Sequence, residues 1–363
     1  MKIGIITKIG KNYGAVLQAY ALKKILCNMG NDAHVIRYTP RNCIKSYRVC
    51  KFPWGRTGAK ANLKAILHFR GYKESSSKFD EFKEAEFNFI GNYSYDKEIE
   101  ANPPQCDIFI SGSDQVWNPI NSFDRAYYCG FVKKSPMVIT ASYAASIGLK
   151  KIPEKFSSEF ESRVKKFDYI SVREKQALSI LSDMNIRADL APDPTLLLSK
   201  EDWHTMARKT IEEPYILCYF VSVPKGIQNI VNEFKKKLGL KVVNLMLSEE
   251  SSCVGDIKVR NAGPREFVGL FENASFVITS SFHGTVFSLI NSKPFVVTLY
   301  NSTSSRVTEL LENFECTDRI ISPDCKDVLP YLKFDYNKET REQIFSVLRN
   351  RGIDILKKIE DLH

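Results

Sequence analysis

The chain turns from strand to helix in Val277-Ile278-Thr279-Ser280-Ser281-Phe282-His283-Gly284-Thr285, where an apolar strand leads into small polar residues, a histidine and a glycine. This layout places a titratable ring and several backbone N–H groups at the carboxyl end of a strand, the edge at which open α/β sheets bind ligands. The apolar run Val286–Ile290 predicts a helix that anchors the turn in a core. His283 is therefore our candidate general acid, although a lone histidine on an apolar face is more often a buried one whose ring a backbone carbonyl satisfies.

Strand-like and helical runs alternate along the chain, which predicts an α/β fold with parallel sheets and helices on both faces. A length of 363 residues allows two domains, each with a full core. The prolines of Ala191-Pro192-Asp193-Pro194-Thr195 interrupt the regular structure, so we place the boundary near residues 199–213. We expect an N-terminal Rossmann-like domain at 1–205 with an insertion at about 40–100, a second Rossmann-like domain at 206–330, and closing helices at 331–363.

The expected elements fall into two series. The first has strands at 3–6, 33–38, 107–110, 137–141 and 169–172, with helices near 14–29 and from Glu174 onward. The second has strands at 215–221, 241–247, 257–259, 276–279 and 294–299, and a final helix at 343–362.

The basic charge of the chain is concentrated in one segment. The net charge is +10, from 52 Lys and Arg against 42 Asp and Glu, and ten cations with no acid lie between Ala33 and Lys73. Aromatic residues such as Tyr47, Phe52 and Trp54 are interleaved with these cations. The mixture suits a membrane surface or a diphosphate-bearing lipid, and also nucleic acid; a solvated insertion without a partner is about as plausible.

The remaining composition argues against several classes of protein. No apolar run reaches the roughly 18 residues that span a bilayer, and Lys2-Ile3-Gly4-Ile5-Ile6 reads as a strand rather than a signal peptide, so we expect a cytoplasmic protein. The nine cysteines include no C-x-x-C pair, which disfavours a disulfide framework and a zinc site. We expect no metal.

Five motifs in order give a specific resemblance: Asn12–Leu22, Ser111–Asn118, Ser171–Glu174, Asp193–Thr195 and the His283 segment. The chain resembles the polysaccharide pyruvyl transferase family along almost its entire length. The resemblance implies two Rossmann-like domains facing a cleft, similar to the glycosyltransferase B architecture. It also implies transfer of a pyruvyl group from phosphoenolpyruvate, a co-substrate rather than a cofactor, onto two hydroxyls of a sugar as a cyclic ketal.

That chemistry needs a general acid, a phosphate clamp and a group that orients or deprotonates hydroxyls. His283 is the candidate acid and Asp114 the candidate base, although Asp114 could instead cap a helix. The donor site is expected to use Arg173, which could alternatively pair with Glu174 or another nearby acid. Since Ser281 and Phe282 stand where the family usually has Arg-Leu, Arg306, in a polar loop, is expected to supply the missing cation. The remaining expected donor contacts are Ser280, Ser281 and Thr285.

The acceptor site is expected to use Asn12, Tyr13, Gln115 and Trp117, with the indole stacked on the apolar face of the sugar. Tyr13 could equally pack over a helix start, and Asp193 is expected to fix the bend between its flanking prolines. We expect the acceptor to be galactose in a lipid-diphosphate-linked precursor of a capsule or exopolysaccharide, with the enzyme peripheral at the inner membrane surface.

Two other functions remain open. A glycosyltransferase that uses a nucleotide sugar could have the same scaffold, since a helix N-terminus and loop hydroxyls can hold a diphosphate. A protein that binds anionic glycans or nucleic acid through the basic segment would not need His283, Arg173 and Asp114 at sheet edges. We therefore do not expect nucleic acid as a partner.

Overall fold

The computed structural model of the protein describes residues 1–40, 68–121, 123–299, 304–334 and 336–363. The described residues divide into two compact units. Unit 1 takes residues 1–40, 83–198 and 345–363, and unit 2 takes residues 68–82 and 199–344. Most of the basic segment lies outside the described residues, which include only Arg37, Arg70 and Lys73 of its ten cations.

Unit 1 contains a seven-stranded sheet in which every pair of neighbouring strands is parallel. The strands in chain order are β1 (Lys2–Ile6), β2 (Asp32–Tyr38), β3 (Ile90–Tyr93), β4 (Ile108–Ser111), β5 (Ile139–Ala145), β6 (Tyr169–Val172) and β7 (Asp189–Leu190). Their order in the sheet is β3-β2-β1-β4-β5-β6-β7. The central strands are short apolar runs because a parallel sheet is covered on both faces.

The helices that cover this sheet include α1 (Tyr13–Asn28), α3 (Asp96–Ala101), α4 (Glu154–Val164) and α5 (Lys175–Asp183). Twelve of the sixteen residues of α1 are buried, so this helix lies inside the unit rather than at its surface. Asn12 begins α1 as its N-cap, because its side-chain oxygen accepts a hydrogen bond from the backbone N–H of Ala15 at 3.2 Å.

Unit 2 contains a five-stranded parallel sheet with the order β10-β9-β8-β11-β12. Its strands are β8 (Tyr215–Tyr219), β9 (Lys241–Leu245), β10 (Ile257–Val259), β11 (Phe276–Thr279) and β12 (Phe295–Val297). Its helices include α6 (Lys200–Met206), α7 (Ile227–Leu238), α8 (Pro264–Asn273), α9 (Phe282–Ile290) and α10 (Ser304–Asn313). Aromatic side chains from three of these helices meet in its core, where Phe287 packs edge-on against Trp203 and Phe267.

Two helices contribute residues to both units. Helix α2 (Phe69–Glu86) belongs to unit 2 through residue 82 and to unit 1 from residue 83. Helix α11 (Lys338–Glu360) belongs to unit 2 through residue 344 and to unit 1 from residue 345. This division differs from the expected contiguous domains. Residues 68–82 belong to unit 2 although residues 83–198 of unit 1 follow them, and residues 345–363 belong to unit 1 although they follow unit 2 along the chain.

Most predicted strands are present within a few residues of their expected bounds. Two edge strands, β3 and β7, were not predicted. Strand β3 lies within the expected insertion at about 40–100, so residues 90–93 belong to the sheet itself. Helix α11 begins at Lys338, earlier than the predicted residue 343. Among the helices of the described ranges, none combines the length and the apolar character needed to cross a membrane.

Candidate active site

Both sheets reverse their strand order at one point, between β1 and β4 in unit 1 and between β8 and β11 in unit 2. Loops that leave the carboxyl ends of such strands diverge and create the crevice in which open α/β sheets bind ligands. The predicted residues Asn12, Asp114 and Gln115 follow the two strands of the first reversal, and His283 follows β11 at the second. Three of the five sequence motifs, those of Asn12, Asp114 and His283, therefore lie at a strand reversal, whereas the Arg173 and Asp193 motifs follow β6 and β7.

Asp114 has an unusual backbone in the loop after β4. Its φ is +74°, a left-handed conformation that Asp tolerates better than most residues but that still costs free energy. Its carbonyl accepts hydrogen bonds from the N–H groups of Val116 at 2.8 Å and Ser146 at 2.9 Å. The carboxylate is half-buried and makes no hydrogen bond to any residue that the structure describes. The described residues that follow it, 115–121, form turns rather than a helix, so the alternative of a helix cap is wrong.

Arg173 follows β6 as predicted, but its side chain is only 3% exposed. Its Nη1 donates to Oδ2 of Asp193 at 2.7 Å, and Nη2 lies 3.9 Å from the carboxylate of Glu174. Burial alone would lower the pKa of Arg173, but the carboxylates of Asp193, Glu174 and Asp114 outweigh burial and raise that pKa. The prediction that Arg173 holds the donor is therefore corrected: this guanidinium is committed to an internal ion pair.

Asp193 has the structural role that the sequence predicted. Its Oδ1 accepts hydrogen bonds from the backbone N–H of Thr195 at 3.0 Å and from the Thr195 hydroxyl at 2.6 Å. It thereby caps the short 3₁₀ turn Pro194–Leu196 while its other oxygen receives Arg173. Ser113, directly before Asp114, has its hydroxyl 3.4 Å from both Asp193 Oδ2 and Arg173 Nη1.

Two of the four predicted acceptor residues are core residues. Trp117 is completely buried, stacks on Tyr128 at a centroid distance of 5.9 Å, and donates from Nε1 to the carbonyl of Tyr127. It presents no face to a sugar, and the predicted stacking role is wrong. Tyr13 is 1% exposed, so it packs in the core at the start of α1, as its alternative interpretation held.

The other two acceptor candidates remain accessible. Gln115 is half-buried; its backbone carbonyl accepts from Lys8 Nζ at 2.6 Å, and its Oε1 accepts from Asn121 Nδ2 at 3.0 Å. Asn12 is also half-buried and uses its side-chain oxygen to cap α1. Both residues are therefore partly exposed in the loops that follow β1 and β4.

His283 lies within the first turn of α9, not before the helix as the sequence suggested. Ser281 is the N-cap, and its hydroxyl oxygen accepts from the backbone N–H of Gly284 at 3.3 Å. A methyl group at Gly284 would lie 2.3 Å from Thr279 Oγ1, so the helix reaches this close to β11 only because residue 284 is glycine. The His283 ring is half-buried and meets the Phe282 ring edge-on at 5.2 Å.

The hydroxyls predicted to bind the donor have local structural roles. Ser280 donates to the carbonyl of Ser222 at 3.1 Å, and Thr285 donates to the carbonyl of Ser281 at 3.0 Å. Thr285 is fully buried, and Ser280 and Ser281 are at most 5% exposed. Thr285 is therefore removed from the predicted donor site, and the two serines shape the turn that holds His283.

Arg306 belongs to the first turn of α10 and is half-buried, whereas the sequence placed it in a loop. It lies in unit 2 with His283, while Arg173 and Asp114 lie in unit 1. In the part of the chain that the structure describes, no group of three His, Cys, Asp or Glu side chains is arranged to hold a metal ion.

Sequence reasoning missed the residues that fix Asp114, namely Thr7, Ser113 and Ser146. The hydroxyl of Ser146 donates to the buried Glu174, and its backbone N–H donates to Asp114. No sequence signal marks a left-handed aspartate, since Asp occurs in turns of many kinds.

The fold and the two reversal points define an α/β protein with two Rossmann-like units whose candidate ligand-binding loops follow β1, β4 and β11. A family model for polysaccharide pyruvyl transferase matches residues 12–302. The chain belongs to the polysaccharide pyruvyl transferase family, and it is accordingly an enzyme that transfers pyruvyl groups in polysaccharide biosynthesis.

Solved structures are similar over the whole chain at 12% identity. A protein from Listeria monocytogenes assigned as a UDP-N-acetylglucosamine 2-epimerase has a TM-score of 0.51, covering 100% of this chain and 89% of that chain. The UDP-GlcNAc 2-epimerase from Methanocaldococcus jannaschii has a TM-score of 0.48, covering 99% of each. Spinosyn forosaminyltransferase SpnP has a TM-score of 0.47, covering 100% of this chain and 99% of that chain.

At such low identity, the likeness to the Listeria protein shows the fold alone. The predicted fold class, α/β with two Rossmann-like units similar to glycosyltransferase B, is confirmed. A search of curated proteins found no match.

Proposed function

We propose that this enzyme transfers the pyruvyl group of phosphoenolpyruvate onto two hydroxyls of a hexose and forms a cyclic ketal. The observation that carries the proposal is Asp114: a half-buried carboxylate with a left-handed backbone and no hydrogen bond to any described residue, at the strand reversal of unit 1. Backbone strain of this kind collects at functional sites. A carboxylate held there is suited to receive a proton from a sugar hydroxyl.

The reaction balances with one acid and one base. A proton adds to C3 of phosphoenolpyruvate and makes C2 electrophilic; the first hydroxyl then attacks C2 and loses its proton. The C2–O bond to phosphate breaks, and the second hydroxyl closes the ketal and gives up its own proton. The two hydroxyl protons thus replace the one added to C3 and the one that leaves with phosphate.

His283 is the proposed acid for C3 and Asp114 the proposed base for the hydroxyls. An imidazolium can deliver a proton near neutral pH, which a hydroxyl cannot. The His283 ring stands on a helix whose first turn is fixed by Ser281 and Gly284, so its position is set by packing rather than by a mobile loop.

The donor is proposed to bind at unit 2. The N-terminus of α9 offers backbone N–H groups to a phosphate, and Arg306 is a half-buried cation in the first turn of α10. Arg173 does not support this role because its guanidinium is buried against Asp193. Asn12 and Gln115 are the proposed acceptor contacts at unit 1, since both are polar and accessible beside the loops that follow β1 and β4.

The acceptor is proposed to be galactose within a lipid-diphosphate-linked precursor of a surface polysaccharide, processed at the inner membrane surface. The basic and aromatic composition of the Ala33–Lys73 segment supports this choice, since cations attract a diphosphate and anionic lipid. Changing Arg41, Lys45, Arg48 and Lys51 to serine should lower activity on a lipid-linked acceptor more than on a lipid-free one. An unchanged ratio of the two activities would rule out the lipid-linked part of the proposal.

The function is tested by incubating the purified protein with phosphoenolpyruvate and a panel of galactose-containing acceptors, then measuring phosphate release and product mass. We expect one phosphate per product and an acceptor that carries a single pyruvyl unit. If UDP- or dTDP-sugars instead yield an acceptor enlarged by a whole sugar, the protein is a glycosyltransferase and the proposal is wrong.

A further inference from the structure

Thr7 and Gln18 form a buried hydrogen-bonded pair beside the Asp114 loop. The Thr7 hydroxyl donates to the carbonyl of Ser113 at 2.8 Å, and Gln18 Nε2 donates to the Thr7 hydroxyl oxygen at 3.1 Å. Thr7, Gln18 and Ser113 are each completely buried. A threonine hydroxyl has one proton, so its donation to Ser113 requires that Gln18 be the donor to Thr7.

The direction of the Gln18 amide follows from a second contact. Nε2 also donates to the carbonyl of Ala15 at 2.7 Å, and a flipped amide would place two acceptor oxygens against each other there. The chain of donors therefore runs one way, from Gln18 to Thr7 to Ser113. It starts on α1 and ends on the residue directly before Asp114.

These bonds fix one of the two peptide groups that flank the Cα of Asp114. The carbonyl of Ser113 lies in the same peptide plane as the Asp114 nitrogen, so holding Ser113 O restricts rotation about φ of Asp114. The carbonyl of Asp114 is held by Val116 and Ser146, which restricts ψ. With both planes held, the Cβ direction of Asp114 is set despite its unfavourable φ of +74°.

We propose that Thr7, oriented by Gln18, is a positioning residue for the Asp114 carboxylate. The inference rests on the proposed function, in which Asp114 receives the hydroxyl proton. Thr7 is completely buried and its hydroxyl contacts the carbonyl of Ser113 rather than the surface, so its loss should slow the chemical step without weakening substrate binding. A catalytic group that moves by about 1 Å can lose on the order of 100-fold in rate.

The test compares Thr7→Val, Thr7→Ser and Gln18→Met with the control Thr140→Val. Thr140 is also a buried threonine of the unit 1 sheet, and its hydroxyl bonds to Asp168 at 2.8 Å at the start of β5, away from the carboxyl edge. We expect kcat to fall about 10- to 100-fold in Thr7→Val, with the KM values of both substrates within about twofold of wild type. Thr7→Ser should recover most of kcat, Gln18→Met should be intermediate, and Thr140→Val should keep full kcat.

A crystal structure of Thr7→Val supplies a readout that does not depend on activity. We expect Asp114 to leave the left-handed region once Ser113 O is released. Asp114 retaining its positive φ, or a wild-type kcat in Thr7→Val, would overturn the inference, as would an equal loss of kcat in Thr140→Val. Failure of the proposed function would look different: wild-type protein would form no pyruvylated product, and the backbone result would still decide the role of Thr7.

Discussion

Asp114 combines a costly backbone with a carboxylate that makes no hydrogen bond to any described residue. The left-handed conformation costs a non-glycine residue about 1–2 kcal/mol. Glycine adopts the same φ without that cost, so Asp114→Gly should unfold at a temperature no lower than wild type. Both Asp114→Gly and Asp114→Asn should lose about 10²- to 10⁴-fold in kcat, the range that one general base supplies.

Thermal unfolding measures the stability of the Asp114 variants, and phosphate release on the same samples measures their kcat. Asp183→Asn, at an exposed aspartate that ends α5, is the control and should match wild type in both measurements. Full activity in Asp114→Asn would remove Asp114 from the mechanism.

Gly284 permits the close approach of α9 to β11. An added methyl group would lie 2.3 Å from Thr279 Oγ1 and 3.2 Å from Tyr219 Cδ1, both fully or almost fully buried. Gly284→Ala should therefore destabilise unit 2 by about 1–3 kcal/mol, as overpacking does, and displace the neighbouring His283. Denaturant unfolding measures the loss; Gly71→Ala, whose methyl would meet Arg260 Cβ at 3.2 Å, should cost less. Equal losses would contradict the packing argument.

Helix α2 is anchored within unit 2 by a polar cluster. Tyr72 donates to Glu249 at 2.9 Å, Arg260 Nε donates to the same carboxylate at 2.7 Å, and Ser75 donates to the carbonyl of Ala262. The Glu249 side chain is only 8% exposed. Burial would raise the pKa of Glu249, but Arg260 and Tyr72 outweigh burial and lower that pKa.

Because the pKa of Glu249 is lower in the folded than in the unfolded state, its stabilising effect is complete above the unfolded value of about 4.3 and disappears as the pH falls through the folded value. Glu249→Gln should lose about 1–3 kcal/mol at pH 7 and show a smaller loss of stability between pH 5 and 3 than wild type. Chemical denaturation across this pH range measures the effect. Glu213→Gln breaks the exposed pair with Lys241 and should change little; an identical pH profile for Glu249→Gln and wild type would refute the role of Glu249.

Helix α11 packs on unit 1 through Gly352. A methyl group there would lie 2.4 Å from Leu197 Cδ2 and 2.6 Å from the Tyr143 hydroxyl, and both side chains are buried. Gly352→Ala should therefore lower the melting temperature, even though alanine favours a helix over glycine by about 1 kcal/mol. Asn350→Ala, at an exposed position of the same helix, should raise it slightly. A higher melting temperature for Gly352→Ala would show that the helix does not pack this closely.

The periodicity of the sequence identified most strands because parallel strands are continuous apolar runs. It missed β3 and β7, which lie at the sheet edges, are four and two residues long, and contain Gly91 and Asp189. It also placed His283 before α9, since a histidine followed by glycine resembles a turn. Only the close approach to Thr279 shows why glycine stands inside that helix.

Site residues were predicted as well as the local motifs allowed. The sequence shows which residues follow an apolar strand, so Asp114, Arg173 and His283 were placed at the correct strand ends. The sequence does not show which side chains are buried. Trp117 and Arg173 were therefore predicted to bind ligands, whereas Trp117 packs in the core and Arg173 forms an ion pair with Asp193. The polar residues that hold Asp114 are Thr7 directly after β1, Gln18 on α1 and Ser146 directly after β5, and such contacts depend on the assembled sheet.

At the scale of the whole molecule, the two alternating series of strands and helices predicted two Rossmann-like units. This prediction was possible because each series contains enough apolar strands to form its own sheet. The discontinuous composition of the units was not predictable, because α2 and α11 are each a continuous helical pattern that contributes to both units. The family match identifies a pyruvyl transferase. The donor, the acceptor and the acid–base pair are the proposals that experiment must decide.

The most direct test of ketal formation from phosphoenolpyruvate is to run the reaction in D₂O and analyse the product by NMR and mass spectrometry. Protonation at C3 by the enzyme predicts a pyruvyl ketal whose methyl group carries one deuterium, formed with one equivalent of phosphate and lost in His283→Gln. A product without a pyruvyl methyl group, or a methyl group that contains no solvent deuterium, would contradict the account.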